Sequence, residues 1–237
     1  YSETLEMDNG RVAPNVLFAI NMFNKASNWF TAIVLRPKAL EMRVRMLERL
    51  IEIGYCALNN EIPNYNLVRC IISAFGSAGI IRLRTTFSQL SQHHVSCVVD
   101  MQTDIDKLPD RKGDETVAMP QLVSFLNVLI STQDYERAAT SPMSSMPINI
   151  HKQRHLADAL LPFLDNIKKM QSNDIKVLPE MQRWFNFQNN SEYIDEEEFY
   201  QISLELEPRD SQDSNIRSVY TLRTRIVGDV ISAGLGR

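Results

Sequence analysis

The histidines are the first residues whose spacing could support chemistry, because all four occur as two close pairs. His93 and His94 come about one helical turn before Cys97, and His151 lies four residues before His155. Imidazole and thiolate are ligands that zinc prefers, and this spacing places two side chains on one helix face. A zinc site needs three or four converging ligands, however, and a lysine follows His151 directly. We therefore expect surface or helix-capping histidines and no metal site.

A run of four acidic residues at 195–198 could indicate cation binding. The run lacks the alternating aspartates and the glycine of a calcium loop. Acidic side chains are favoured in the first turn of a helix by the helix dipole, so we interpret the run as a helix start. The glycine-rich phosphate-binding patterns and the G-x-S-x-G pattern of hydrolases do not occur in the sequence. The sequence therefore favours a protein that performs no covalent chemistry.

The cysteines and the overall charge favour a cytoplasmic protein. Cys56, Cys70 and Cys97 are odd in number and form no C-x-x-C pair, which predicts reduced thiols packed as small core residues. The net charge of −4, from 25 basic and 29 acidic residues, gives no reason to expect nucleic acid as a partner. No apolar run reaches the roughly 18 residues of a membrane span. We expect no direct membrane insertion, and recruitment to membranes only through other parts of a longer protein.

Apolar residues recur at helical spacing along most of the chain. They predict helices over residues 15–35, 40–58, 67–75, 81–100, 151–170, 179–187 and 195–206, and one more after Pro120. Polar stretches that contain proline predict loops at 103–116 and 141–147. Only 8 of the 237 residues are glycine, which argues against a turn-rich β architecture. The sequence therefore predicts one all-α domain whose central helix spans residues 67–75, which are apolar on nearly every side.

Three ordered motifs are more specific than this periodicity. They are A-P-N (13–15) with F-N-K-A-S-N-W-F-T-A-I-V-L (23–35), L-N-N (58–60) with N-Y-N-L-V-R-C-I-I-S-A-F (64–75) and I-I-R-L-R-T-T-F-S-Q-L (80–90), and S-L-E-L-E-P-R (203–209). In this order and spacing, the chain resembles the catalytic domain of Ras-family guanine-nucleotide exchange factors, the group that includes Son of Sevenless. Members of that family are all-helical, in agreement with the periodicity.

The resemblance implies a domain organisation, a partner and a role for the third motif. It implies a catalytic domain over residues 1–209, with its opening helices incomplete, and a C-terminal extension over 210–237. The third motif would close the domain through buried ion pairs and a proline turn. The implied partner is a small Ras-like GTPase such as Ras or Rap, and no cofactor or metal is implied.

The resemblance also implies catalytic residues. In this family a helical hairpin inserts beside the nucleotide of the GTPase, opens the first switch loop, and disturbs the magnesium and phosphate sites. The stretch P-Q-L-V-S-F-L-N-V-L-I (120–130) takes the place of the leading helix of the hairpin. Asn127, Ile130 and Asp134 then occupy the catalytic positions, with Ile130 as an apolar wedge and Asp134 as the acidic residue. In a helix their spacing places them on one face.

Two further residues are implied to bind the GTPase. Asn66 takes the place of the asparagine that contacts the second switch, whereas Asn64 is expected to be structural in the turn. Lys152, in N-I-H-K-Q-R-H, takes the place of a lysine that faces the GTPase. The histidines around it, His151 and His155, would then lie on the helix that supports the hairpin.

The chain departs from the family pattern near the implied hairpin. Gln121 stands where the family has an aromatic residue, Val123 where it has glycine, and E-I-P (61–63) is inserted in the asparagine turn. Two functions therefore remain open. The chain either accelerates nucleotide release from a GTPase, or it is an exchange-factor-like module that binds a partner without catalysing release.

Overall fold

Helices dominate the computed structural model, which describes residues 14–107, 117–121, 125–126, 150–171, 176, 178–189 and 193–208. The helices are α1 (Pro14–Leu35), α2 (Leu40–Leu58), α3 (Tyr65–Phe75), α4 (Ala78–Ile81), α5 (Arg84–Ser88), α6 (Gln92–Lys107), α7 (Ile150–Gln171), α8 (Pro179–Asn189) and α9 (Glu196–Leu206). Within these ranges, β pairing is limited to one isolated parallel bridge between Asn64 and Met119. The predicted all-α fold class is confirmed.

Helix α3 lies at the centre of the hydrophobic core. Its side chains Val68, Ile71 and Ile72 are all 0% exposed, and α1, α2 and α6 pack around it. The neighbouring helices add Leu47 and Met101 to the same core. Burial of each such side chain contributes on the order of 1.5–3 kcal/mol, so this cluster is the main source of stability. The prediction of a central, all-round apolar helix is confirmed.

The single helix predicted over residues 81–100 is wrong, because this stretch contains the last residue of α4, the whole of α5 and the start of α6. Serine hydroxyls start two of them. Ser77 accepts a hydrogen bond from the Ile80 amide at 3.4 Å, and Ser91 accepts one from the His94 amide at 3.3 Å. The helix that follows, α6, continues to Lys107, four residues past the predicted start of the loop at 103. Apolar spacing could not reveal these breaks; a side-chain cap marks the one before α6, whereas α5 begins at Arg84 without a side-chain cap.

Helix α9 packs against α4 and α1. Its acidic first turn is a helix start, as predicted, because the Asp195 carboxylate caps the helix by accepting from the Glu198 amide at 2.7 Å. Gly79 in α4 permits the close approach of α9. A Cβ atom there would lie 3.0 Å from both the Phe199 carbonyl oxygen and Leu35 Cδ1.

Helices α7 and α8 pack more loosely. Trp184 of α8 meets Trp29 of α1 edge-to-face, with ring centroids 5.4 Å apart. None of the described side chains of α7 is buried. This helix contains Pro162, which cannot donate a hydrogen bond to the preceding turn. The helix predicted after Pro120 falls mainly outside the described residues. Among the helices described, none is both long enough and apolar enough to cross a membrane.

Candidate functional site

The turn before α3 gives its two asparagines different environments. Asn64 is the N-cap of α3. Its side-chain Oδ1 accepts a hydrogen bond from the Leu67 amide at 2.9 Å, and its backbone amide donates one to the Ala57 oxygen at 2.9 Å. Asn64 therefore has the structural role expected of it. Asn66 lies in the first turn of α3 and is half-buried, and its role in binding a GTPase stays a prediction.

Residues 117–121, which we call the strap, run across the start of α3. The Met119 amide donates to the Pro63 oxygen at 2.7 Å, and the Met119 oxygen accepts from the Tyr65 amide at 3.1 Å. These two backbone bonds produce the parallel bridge at Asn64. The strap is thereby attached to the helix turn that carries Asn66.

The other side of the strap contacts α7. The buried Ala118 donates its amide to Oδ1 of Asn166 at 3.0 Å. Phe163, one turn earlier on the same helix face, stacks on Phe125 with ring centroids 4.5 Å apart and ring planes at 14°. The chain immediately before residues 127–149 is therefore packed against the helix that immediately follows them.

The predicted catalytic residues Asn127, Ile130 and Asp134 lie outside the described residues. Of the two predicted GTPase-binding residues, Lys152 lies in the first turn of α7 and is half-buried, like Asn66. The strap connects the helices that carry these two residues. Sequence reasoning missed this connection, because a hydrogen bond between an asparagine side chain and a backbone amide 48 residues away leaves no local pattern.

Gln121 ends the strap and is only 9% exposed. The family resemblance implies an aromatic side chain at this position. A buried amide supplies both a donor and an acceptor where an aromatic ring would supply mainly packing surface. At this position the chain therefore has a buried hydrogen-bonding side chain where the resemblance implies an aromatic ring.

The third sequence motif is joined to the core by a group that we call the clasp: Arg43, Thr86 and Glu207. The Glu207 carboxylate accepts from the amides of Thr85 and Thr86, both at 2.9 Å, and from Thr86 Oγ1 at 2.7 Å. Arg43 is 3% exposed and lies 3.8 Å from the same carboxylate. One of the ion pairs implied for this motif is therefore present, between the buried Arg43 and the largely buried carboxylate of Glu207.

Further hydrogen bonds tie Arg43 to the start of α2 and join Arg82 to α9. Arg43 donates to the Lys38 oxygen at 2.6 Å, which ties it to the start of α2. Arg82 donates to the backbone oxygen of Ser203 on α9, and to its hydroxyl at 3.2 Å. The buried guanidinium of Arg43 is thus supplied with hydrogen-bond acceptors inside the fold, as a buried polar group requires.

His94 lies beside two carboxylates. His94 Nδ1 is 3.4 Å from Glu48 and its Nε2 is 3.6 Å from Glu52. The hydrogen bond from Arg49 is the main reason that the pKa of Glu52 is lowered. In the part of the chain that the structure describes, no group of three His, Cys, Asp or Glu side chains is arranged to hold a metal ion.

The cysteines divide into one exposed and two buried thiols. Cys56 is exposed on α2, so the expectation that it would be a core residue is wrong. Cys70 and Cys97 are buried as expected. Burial raises the pKa of the Cys70 thiol to about 12, and burial together with the Asp100 carboxylate raises the pKa of Cys97. Both buried thiols are therefore protonated at neutral pH and are weak nucleophiles.

Comparison with known families decides the membership of the chain. The family model of the RasGEF domain matches residues 2–154, which is more than half of the chain and includes α1 to α6 and the strap. The chain belongs to the RasGEF domain family. This assignment agrees with the resemblance carried by the first two sequence motifs.

Relatives extend the similarity beyond residue 154. Ras guanine nucleotide exchange factor R of Dictyostelium discoideum is 25% identical over 207 residues, which are 87% of this chain and 12% of that protein. Ras-specific guanine nucleotide-releasing factor RalGPS1 of Mus musculus is 22% identical over 214 residues, 87% of this chain and 36% of that protein. The chain therefore spans about an eighth to about a third of the length of these curated relatives.

Proposed function

We propose that this chain is a guanine-nucleotide exchange factor domain that stimulates GDP release from a small Ras-like GTPase. The match of the RasGEF family to residues 2–154 carries this proposal, because it covers both the core and the strap. The relatives named above, which are described as Ras exchange or releasing factors, support it. The partner is Ras, Rap or a related GTPase.

The proposed mechanism weakens nucleotide binding without covalent chemistry. Ile130 brings an apolar side chain to the magnesium position and removes the solvation that the ion needs, while Asp134 brings a carboxylate that repels the phosphates. Asn127 lies on the same predicted helix face. Each ~1.4 kcal/mol by which the barrier to release is lowered speeds release tenfold. The emptied GTPase then reloads with the nucleotide that is abundant.

Asn66 and Lys152 are proposed to bind the GTPase around this hairpin. Asn66 would contact the second switch from the start of α3, and Lys152 would contact the GTPase from the start of α7. Both residues are only half-buried, which is compatible with contact to a partner. The strap joins the two helices, so the positions of the two contacts would be linked through it.

The experiment that tests the proposal follows the release of a fluorescent guanine nucleotide from Ras, Rap, Ral and Rho GTPases. We expect the chain to accelerate release from at least one of them. Ile130→Ala and Asp134→Ala should each reduce that acceleration by about tenfold or more, the equivalent of ~1.4 kcal/mol. The matched controls Ile53→Ala and Asp165→Ala change exposed residues of the same types and should retain the rate.

One competing function is that of a RasGEF-like module that binds a GTPase without catalysing release. It is favoured by Gln121, which is buried at a position where the resemblance implies an aromatic residue. One result would replace the proposed function with this one: a GTPase binds the chain tightly, and its rate of nucleotide release stays the same at every concentration of the chain.

A further inference from the structure

We infer that Asn166 is a positioning residue for the exchange reaction: its side-chain oxygen sets the placement of α7 against the strap. This inference rests on the proposed function. Neither the sequence motifs nor the family match assigns a role to Asn166, which lies beyond residue 154. The relevant observation is a single hydrogen bond, from the Ala118 amide to Asn166 Oδ1 at 3.0 Å.

A continuous series of bonds extends from Asn166 to the helix that carries Asn66. Ala118 of the strap is bonded to Asn166, and the next residue, Met119, is bonded to Pro63 and to Tyr65. Tyr65 is the first residue of α3. A displacement of α7 at Asn166 is therefore transmitted to the α3 turn through backbone atoms, which are less compliant than side chains.

Burial makes this bond hard to replace. Ala118 is 3% exposed, so water has little access to its amide, and Asn166 itself is half-buried. A buried amide that loses its acceptor is costly, and the chain relieves the cost by shifting until water reaches it. Removal of the Asn166 oxygen should therefore move the strap or α7 and leave the core intact.

Apart from the stack of Phe163 on Phe125, the described side chains of α7 are at most half-buried, so the helix has limited packing to oppose such a shift. Leu161 and Leu164, on either side of Phe163, are 65% and 47% exposed. Lys152 lies about 21 Å from Asn166 along the helix, at 1.5 Å per residue. A small rotation of the helix at Asn166 thus becomes a larger displacement at Lys152. Because misplacement of reacting groups by about 1 Å can cost on the order of 100-fold in rate, exchange should be more sensitive than folding.

Three substitutions at Asn166 distinguish the position of the acceptor oxygen from the chemical type of the side chain. Asn166→Ala removes the acceptor, Asn166→Asp keeps an oxygen at the same place, and Asn166→Gln keeps the amide but moves it by one methylene. The control Asp165→Ala removes the neighbouring surface ion pair with Lys169, which is 2.9 Å long and exposed. The maximal rate of fluorescent-nucleotide release, the concentration of chain at half-maximal rate, and the thermal unfolding midpoint are measured for each.

We expect Asn166→Ala and Asn166→Gln to lower the maximal rate by about tenfold, with a much smaller change in the half-maximal concentration. The unfolding midpoint should stay within a few degrees of the parent chain, since only one bond is lost. Asn166→Asp should restore the rate to within about threefold, and Asp165→Ala should leave it unchanged.

The outcomes distinguish the two proposals. A parent chain that accelerates release from no GTPase overturns the proposed function, and this inference with it. An active parent chain whose Asn166→Ala and Asn166→Gln variants keep its maximal rate overturns only the inference. The same holds if Asn166→Asp is as slow as Asn166→Ala, because the oxygen would then not be responsible. If Asn166→Ala does not fold, the Asn166→Gln rate alone decides.

Discussion

Helices α9 and α7 differ in how they are attached to the core. Helix α9 has 11 residues, yet it buries Phe199 and Ser203 and is followed directly by Glu207 of the clasp. Helix α7 has 22 residues and buries none of its described side chains. Attachment in this domain therefore depends on a few buried contacts and not on helix length. The loosely packed helix is the one that follows the segment with the proposed catalytic residues, where regions of low local stability are expected.

Loss of the clasp should produce the largest effect. Arg43→Ala removes a buried guanidinium with its bond to the Lys38 oxygen and the cation that faces the largely buried Glu207 carboxylate, and we expect a loss of about 3 kcal/mol in the free energy of unfolding. Urea denaturation followed by circular dichroism measures it. Arg49→Ala is the matched control, since its 2.7 Å pair with Glu52 is exposed and contributes at most roughly 0.5 kcal/mol. Equal losses for the two variants would show that the clasp does not attach α9.

Overpacking beneath α9 should have an intermediate effect. In Gly79→Ala the new methyl group would lie 3.0 Å from the backbone oxygen of Phe199, which cannot move without α9, so we expect a loss of about 1–3 kcal/mol. In the control Gly54→Ala the nearest atom is Met101 Sδ at 2.6 Å, near the end of a flexible side chain. The gain in helix propensity, up to about 1 kcal/mol, should then offset most of the strain. The thermal unfolding midpoints of both variants are measured. A lower midpoint for Gly54→Ala than for Gly79→Ala would contradict this reasoning.

Truncation of the exposed face of α7 should have the smallest effect. Leu161→Ala and Leu164→Ala preserve helix propensity and remove side chains that are about half exposed or more, so each should change the free energy of unfolding by less than about 0.5 kcal/mol. Chemical denaturation provides the measurement. A loss above about 1 kcal/mol would mean that these leucines pack against other parts of the chain, and the contrast between α7 and α9 would disappear.

The predictable part of the fold consists of long helices with a clear apolar face. The bounds of α1, α2, α7 and α8 agree with the periodicity to within two residues at each end. The periodicity was misleading over residues 81–100, because the chain leaves the helical path at 82–83 and again at 89–91, where the Ser91 hydroxyl starts α6. The expectation that Cys56 is a core residue came from the usual burial of free cysteines, and it was wrong because this general tendency does not fix which side of α2 one cysteine occupies.

The candidate site was predictable only in part. The resemblance pointed to Asn64 as a structural residue and to an ion pair in the third motif, and both are present. The positions of Asn166 and Phe163 were not predictable, because their partners are distant in sequence and one of them is a backbone amide. The roles of Asn127, Ile130 and Asp134 stay predictions.

By itself, the sequence determined the fold class, the family and the central place of α3. Periodicity and ordered motifs are local properties, and each can be read in the chain one segment at a time. Only the tertiary structure decided that Glu207 meets Arg43, that Gly79 must lack a side chain, and that the strap joins α3 to α7. Such contacts depend on how segments far apart in sequence pack together, and packing is satisfied by many side-chain combinations that leave no common sequence pattern.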